Sequence, residues 1–421
     1  MATPAGERLA GADGLRALAA LMVVVFHTAA VVGPLWLTGS LRRSVWQLGP
    51  FGVAVFFVLS GFLMYRPYVA ASFDGRPAPP LVPYAVRRVA RIIPGFWFAL
   101  LGAFVLVNDS FQKAAVLPLQ ALLVQNYRFG YALTGLGVAW TLVIECAFYV
   151  VLPGIGFIAL RMCRRAQTDR RRVTAHLAVV ATLILIALSW RAYFSWGFDA
   201  RAAGTEHGTW FSLDSAFLWL PAYLDLFACG MLLAVAANAA ARTDGRFRVV
   251  RTVGARPAAA LLAAGCSYAL LTPLHLGGVG NARSIASHAF GAAILRAIAA
   301  TLLLLPVAVA ASPPSRYRTW LASPTMVWLG TISYGIYLWH LTMLDRTEEI
   351  FGSVHDRPGM ALVFLTVALG ATLLIAVASW RYVERPVAAF ASERLALQVP
   401  QVSPPAGDTL PLGADQTKDD L

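Results

Sequence analysis

The first long apolar stretch of the chain carries two residues of chemical interest, Arg16 and His27, eleven positions apart. An α-helix turns by about 100° per residue, so this separation returns to within about 20° of one face and rises about 16 Å. The pKa of histidine lies near neutral pH, which suits His27 to act as a general base. The alternative is a histidine that only joins two helices by a hydrogen bond.

Paired arginines precede another apolar stretch. Arg88 and Arg91 occupy positions i and i+3 of a helical face, and Arg87 and Arg91 occupy positions i and i+4. Pro94 follows and is expected to break or kink the start of that helix. Paired guanidinium groups match the geometry of phosphate. The commoner explanation is an anchor of the span at the inner membrane surface.

One carboxylate lies within an apolar segment. Glu145 has Thr141 at i−4 and Tyr149 at i+4 on its own face. A carboxylate at membrane depth usually faces a cavity or a charged partner. We therefore expect Glu145 either to orient His27 or to contact a substrate hydroxyl, and the alternative is a structural pair with an arginine.

A polar stripe marks a late apolar segment. Ser333, Tyr337 and His340 follow one another at steps of four and three, which places them on one helical face. This face is a candidate lining for a substrate pore, with interfacial aromatic residues and a hydrogen-bonded histidine as the alternative. Asp225 is a further buried carboxylate, for which the sequence indicates no partner.

The composition shows what kind of protein must position these residues. Of 421 residues, 58% are hydrophobic and 13% are charged, whereas soluble domains carry about 25% charged residues. The chain is therefore predicted to be an all-α, polytopic transmembrane helical bundle, and a water-soluble enzyme is excluded. The apolar runs predict about ten spans, at 15–33, 50–66, 92–108, 138–160, 174–195, 213–238, 257–273, 292–311, 325–344 and 359–380.

The distribution of charge predicts the orientation. Lysine and arginine total 34 against 21 acidic residues, a net charge of +13. The arginines concentrate in alternate connecting segments, which places both termini in the cytoplasm of a multi-pass cell-membrane protein. This orientation requires 114–126 to be re-entrant or interfacial. The positive charge then serves orientation and contact with membrane lipid, so no nucleic acid partner is expected.

The remaining features predict one membrane domain and no metal. The four cysteines, Cys146, Cys163, Cys229 and Cys266, form no CxxC pair, so neither a disulfide nor a metal site is expected. Residues 1–390 are predicted to form the membrane domain. Residues 391–421 are rich in proline, glycine and aspartate and are predicted to be a disordered cytoplasmic tail.

Taken in order, these stretches resemble acyltransferase family 3, a family of integral-membrane acyltransferases. The similar segments are DGLRALA with Arg16 and His27, FFVLSGFLM, RRVARIIPGFW with Arg88 and Arg91, AWTLVIECAFY, ISYGIYLWH and RYVERP. Thr141 stands where the family has a serine. Each motif alone is weak, but six in order at plausible spacing are specific, and they cover residues 9–386.

The resemblance implies an enzyme that transfers an acyl group, often acetyl, from acyl-coenzyme A to a hydroxyl. Its acceptor would be a carbohydrate, a glycoconjugate or a macrolide. The family requires the residues that correspond to Arg16 and His27, and it implicates those that match Arg88 and Arg91 in coenzyme binding. Acetyl-CoA would be a co-substrate, with no bound cofactor. We expect His27 to deprotonate the acceptor hydroxyl, which attacks the thioester directly.

Two other functions are alternatives to acyl transfer. A transporter or flippase for a glycoconjugate could use His27, Glu145 and Asp225 as a proton relay. The sequence contains no internal repeat of the kind that many transporters have, which argues against transport. A purely structural role in a cell-wall complex would leave the histidine and arginine patterns unexplained.

Overall fold

The computed structural model describes residues 9, 11–107, 115–128, 130–194, 216–242, 256–271, 282–309, 314–352, 354 and 358–397. These residues form helices and turns without an extended strand, which confirms the all-α class. The α-helices are α1 (Ala12–Trp36), α2 (Gly39–Asp74), α3 (Leu81–Leu106), α4 (Val116–Ala121), α5 (Trp140–Arg164), α6 (Asp169–Ala192), α7 (Leu224–Arg242), α8 (Pro257–Ala269), α9 (Ala282–Ala308), α10 (Arg316–Leu321), α11 (Pro324–Phe351), α12 (Ala361–Ser379) and α13 (Arg385–Leu397). Short 3-10 helices are Gln125–Tyr127, Gly137–Ala139, Leu220–Tyr223 and Pro358–Met360, and a π-helix covers Trp380–Glu384.

Within the described ranges, eight helical segments are long and apolar enough to cross a membrane. Two of the ten predicted spans fall outside this set. Helix α8 has only 13 residues, which is short for a hydrocarbon core of about 30 Å. Helix α11 has 28 residues but is less apolar. It packs between α1 and α12, so its polar face is covered by protein.

The boundaries of two helices differ from the predicted spans and change where the arginines lie. Helix α3 begins at Leu81 and continues past Pro94 to Leu106. Arg88 and Arg91 therefore belong to the helix itself, and the helix is not broken at Pro94. Helix α2 has 36 residues and is longer than the predicted span 50–66. Both of its ends extend beyond the apolar core of the segment.

Two segments are predicted not to span the membrane, namely 114–126 and the tail from residue 391. The described part of 114–126 contains α4 and the start of one 3-10 turn, and both are too short to cross a membrane, as predicted. The tail was expected to be disordered from residue 391, but α13 continues to Leu397. Residues 398–421 lie outside the described part of the chain.

Small residues allow the central helices to approach closely. Gly61 of α2 faces the carbonyl of Phe227 on α7, and Gly230 of α7 faces the carbonyl of Val58 on α2. A Cβ on Gly61 would lie 2.1 Å from the Phe227 oxygen, and one on Gly230 would lie 2.0 Å from the Val58 oxygen. Such contacts are typical of helix pairs in membranes, where van der Waals packing drives association.

This packing predicts the effect of adding one methyl group. Gly61→Ala and Gly230→Ala should each force α2 and α7 apart and destabilise the fold by about 1–3 kcal/mol or more. The matched control is Gly370→Ala in α12, where a Cβ has no atom within 4 Å and alanine favours the helix by about 1 kcal/mol. Thermal unfolding of the purified variants is the measurement, and equal midpoints for Gly230→Ala and Gly370→Ala would contradict the prediction.

Candidate functional site: two adjoining cavities

Two histidines meet in the interior. The Nδ1 atom of His27 lies 3.0 Å from the Val23 carbonyl oxygen and 3.1 Å from Nε2 of His340. The Nδ1 atom of His340 lies 3.1 Å from the Ile336 carbonyl oxygen. His340 is fully buried.

The two carbonyl oxygens determine the tautomers, because a carbonyl can only accept a hydrogen bond. His340 must donate from Nδ1 to Ile336, which leaves its Nε2 as an acceptor. The single Nδ1–H of His27 must be shared between the Val23 carbonyl oxygen and Nε2 of His340. The Nε2 atom of His27 therefore carries a lone pair, which is the state that a general base requires.

His27 lines a large cavity, which we call the histidine cavity. Its volume is about 590 Å³, and most of its wall is apolar or aromatic. The polar and aromatic lining residues include His27, Trp140, Arg191, Tyr223, Arg296 and Tyr337. A mostly apolar cavity with a few convergent polar groups is typical of a binding site for a small molecule.

A second, smaller cavity of about 100 Å³, the arginine cavity, collects most of the other predicted residues. Its wall includes Arg16, Arg88, Arg91, Glu145, Ser333 and Tyr337. Helices α1, α3, α5 and α11 supply these side chains. Three guanidinium groups and one carboxylate give this cavity a net positive charge, which suits it to phosphate.

Glu145 is held within the arginine cavity by hydroxyl groups. Ser60 and Tyr149 both donate to its Oε1 atom, at 2.8 and 2.5 Å. The guanidinium of Arg88 lies 5.7 Å from the centre of the Tyr149 ring, close enough for a cation–π contact. Arg16 is paired with Asp13 at 3.0 Å. This network orders the positive cavity around one carboxylate.

The two cavities lie at opposite ends of the helices that line both. Along α1, Arg16 lines the arginine cavity and His27 lines the histidine cavity. Along α11, Ser333 lines the first and Leu341 the second. The order is reversed along α2 and α5, as expected for helices that run in the other direction. The cavities are therefore stacked along the bundle axis.

Val53 and Tyr337 line both cavities and stand between them. The Tyr337 hydroxyl lies 2.7 Å from Oγ1 of Thr141 and 3.2 Å from the Val138 carbonyl oxygen. Thr141 Oγ1 lies 3.1 Å from the same carbonyl. The two hydroxyl protons are therefore used within this group, which fixes the position of Tyr337 where the two cavities adjoin.

The structure places the predicted residues in two groups rather than one. Arg16, Arg88, Arg91, Glu145, Ser333 and Tyr337 meet around the arginine cavity, and His27 lies in the neighbouring one. Glu145 does not orient His27, because its hydrogen bonds go to Ser60 and Tyr149. The residue that does contact His27 is His340, which lines neither cavity. A pore-lining role for His340 stays a prediction, and neither of the two cavities supports it.

Sequence reasoning missed a buried ion pair at the histidine cavity. Arg191 donates to both carboxylate oxygens of Asp225, at 2.8 and 2.7 Å, and also to the Ala222 carbonyl. Arg191 stands near the end of an apolar helix, and this position was the available signal. The pairing of Arg191 with Asp225 cannot be predicted from the sequence, because α6 and α7 are separated by residues with no recognisable pattern.

In the described part of the chain, no group of three or more His, Cys, Asp or Glu side chains is arranged to hold a metal ion. The four cysteines are free thiols rather than disulfides.

Comparison with known proteins identifies a family but no matching solved structure. The sequence profile described as an acyltransferase domain matches residues 9–381. Peptidoglycan O-acetyltransferase OatA of Listeria monocytogenes is 25% identical over 394 residues, 89% of this chain and 55% of its own length. O-acetyltransferase OatA of Staphylococcus aureus is 23% identical over 398 residues, 90% of this chain and 57% of its own length. No solved structure gives a significant match.

The chain thus spans little more than half the length of the curated relatives that it matches. The family profile, in contrast, covers nearly all of the described helices, from α1 to the π-helix. It includes every residue of both cavities. The chain therefore belongs to acyltransferase family 3.

Proposed function

We propose that the protein is a membrane O-acyltransferase that moves an acetyl group from acetyl-CoA to a hydroxyl of a cell-envelope carbohydrate. One observation carries this proposal: a triply arginine-lined cavity adjoins a cavity that holds a histidine with a free Nε2 lone pair. The names of the relatives, which are O-acetyltransferases, support acetyl as the group transferred.

The arginine cavity is the proposed donor site. Coenzyme A carries phosphate groups that cannot enter hydrocarbon, and Arg16, Arg88 and Arg91 offer the positive charge to hold them. The cavity is narrow, so the slender pantetheine arm enters while the nucleotide stays at the mouth. The arginine-rich connecting segments support a cytoplasmic position for this end of the bundle, where acetyl-CoA is available.

The histidine cavity is the proposed acceptor site. The acceptor hydroxyl gives its proton to Nε2 of His27 while its oxygen attacks the thioester carbonyl carbon. The tetrahedral oxyanion then collapses, the carbon–sulfur bond breaks, and the coenzyme A thiolate leaves and takes up a proton. His340 acts as a positioning residue, because its Nε2 accepts from His27 Nδ1 and keeps the proton on that side.

A proton-coupled transporter is the other candidate, and the geometry gives it little support. The relay would need His27, Glu145 and Asp225 to exchange protons. Asp225 is bound to Arg191, and Glu145 is bound to two hydroxyls in the other cavity. No hydrogen bond in the described residues joins any two of the three.

Acetyl transfer from labelled coenzyme tests the proposed function directly. Membranes that contain the protein are incubated with [14C]acetyl-CoA and cell-envelope glycan, and the label in the glycan is counted. We expect label to enter an ester that mild base releases. Movement of unlabelled glycan across the membrane without ester formation would instead support the transporter.

The donor site makes a separate kinetic prediction. Arg88→Ala and Arg91→Ala should each raise the KM for acetyl-CoA by roughly 10- to 100-fold, since a charge-assisted hydrogen bond to phosphate is worth about 1.5–3 kcal/mol. Arg87→Ala is the matched control, because Arg87 is exposed on the same helix and does not line the cavity. A KM unchanged in both variants would remove these arginines from coenzyme binding.

A further inference from the structure

The histidine cavity contains a cation that has no role in the proposed acetyl transfer. Arg296 of α9 lines this cavity, and its Nη2 atom donates to Oε1 of Gln47 at 2.9 Å. Its Nε atom is buried and has no acceptor. Gln47 is uncharged, and within the described ranges no carboxylate pairs with Arg296.

The other arginine of the same cavity has a carboxylate partner, which Arg296 lacks among the described residues. Arg191 also lines the cavity, and Asp225 neutralises it through two hydrogen bonds. Among the described residues, Arg296 has one neutral hydrogen-bond partner for its five N–H groups. The described wall of the histidine cavity therefore carries one uncompensated positive charge.

An unpaired cation at membrane depth is costly, and such a residue is a functional site by default. The cost is recovered when an anion enters and makes charge-assisted hydrogen bonds with the guanidinium. Around Arg296 the wall is apolar and aromatic, with Trp140 and Tyr223 among its residues. An apolar wall strengthens the attraction between the guanidinium and an anion, because it lowers the local dielectric.

His27 and Arg296 line one cavity of about 590 Å³, which is within the range of binding sites for small molecules. A ligand that fills it contacts both residues. An anionic group on Arg296 would then hold another part of the same molecule at the free Nε2 of His27. Two fixed points orient a hydroxyl far better than a base alone, and orientation is a large part of catalytic efficiency.

We propose that Arg296 binds an anionic group of the acceptor, a carboxylate or a phosphate, and so selects acidic carbohydrates over neutral ones. This inference rests on the proposed function, since it names the acceptor class of the same site. Arg296 is a specificity-determining residue in this scheme, and the proton transfer stays with His27.

Matched sugars test the selection in the full-length protein, purified into lipid nanodiscs. The carboxylate pair is N-acetylmuramic acid and its methyl ester, and the phosphate pair is N-acetylglucosamine 1-phosphate and N-acetylglucosamine. We expect the wild type to favour the anionic member of at least one pair by roughly 10- to 100-fold in kcat/KM. The pair that shows the preference identifies the anion.

Arg296→Gln should abolish that preference, because it should raise the KM for the anionic sugar far more than the KM for the neutral sugar. Arg296→Lys should retain part of the preference. Arg161→Gln is the control, because Arg161 is exposed and lines neither cavity. A wild type that treats both members of each pair alike, or an Arg296→Gln variant that keeps the preference, would overturn the proposal.

A binding measurement separates this inference from the proposed function. If the wild type acetylates none of the four sugars, the proposed function fails for these acceptors, and thermal unfolding without acetyl-CoA decides the anion site. An anionic sugar that raises the Tm of the wild type, but not that of Arg296→Gln, supports the site. A Tm that responds equally to charged and neutral sugars, or to neither, refutes it.

Discussion

His27→Ala is expected to reduce acetyl transfer by roughly 10²- to 10⁴-fold, the usual contribution of a positioned general base. The variant loses the Nε2 lone pair of His27, while the arginine cavity, which is the proposed coenzyme site, remains intact. The KM for acetyl-CoA should therefore change little and kcat should carry the loss. The measurement is the rate of label transfer from [14C]acetyl-CoA, normalised to the amount of protein in the membrane.

Two companion variants show whether the loss is chemical. His27→Gln retains a polar side chain but has no basic nitrogen, so it should be as inactive as His27→Ala. His340→Ala leaves the base in place and removes the acceptor that orients it, so it should lower kcat by less. Transfer at the wild-type rate by His27→Ala or His27→Gln would remove His27 from the mechanism.

Asp225→Asn is expected to have the largest effect on stability. Arg191 and Asp225 are only 10% and 6% exposed and share two hydrogen bonds. Removing the carboxylate charge leaves a buried guanidinium without its counter-charge, which costs about 3–5 kcal/mol. A marked fall in the thermal unfolding midpoint of the purified protein is the expected result.

An exposed ion pair supplies the matched control. Arg346 and Glu349 lie at the surface, 45% and 37% exposed, and such pairs contribute about 0–1 kcal/mol. Glu349→Gln should therefore leave the midpoint nearly unchanged. Replacing both buried partners, as in Arg191→Met with Asp225→Leu, should cost less than Asp225→Asn alone. Equal midpoints for Asp225→Asn and Glu349→Gln would contradict the assignment of a strong buried pair.

Local periodicity predicted the arginine cavity better than it predicted the histidine cavity. Ser333 and Tyr337 share a helical face because they are four residues apart, and both line the arginine cavity. His340 lies further along that stripe, yet it turns towards α1 and touches His27 instead. A stripe on one helix shows which residues face the same way, but the neighbouring helix decides what they meet.

Composition and spacing were sufficient for the broad description of this protein. Low charge and long apolar runs require a helical bundle, because a backbone in lipid must satisfy its own hydrogen bonds. Polar residues at membrane depth are costly, so they point to a site even without a structure. The chemical types present, namely a histidine base and clustered guanidinium groups, followed from the same pattern.

Helix packing was needed to learn which of these groups act together. His27 meets His340 across 313 positions of sequence, and Arg191 meets Asp225 across 34. Such contacts depend on how close glycine-lined helices approach and how they are rotated, and a helical period carries no information about either. The division of the site into two stacked cavities, with Tyr337 between them, arises at this level. So does the position of Arg296, which has no carboxylate partner among the described residues.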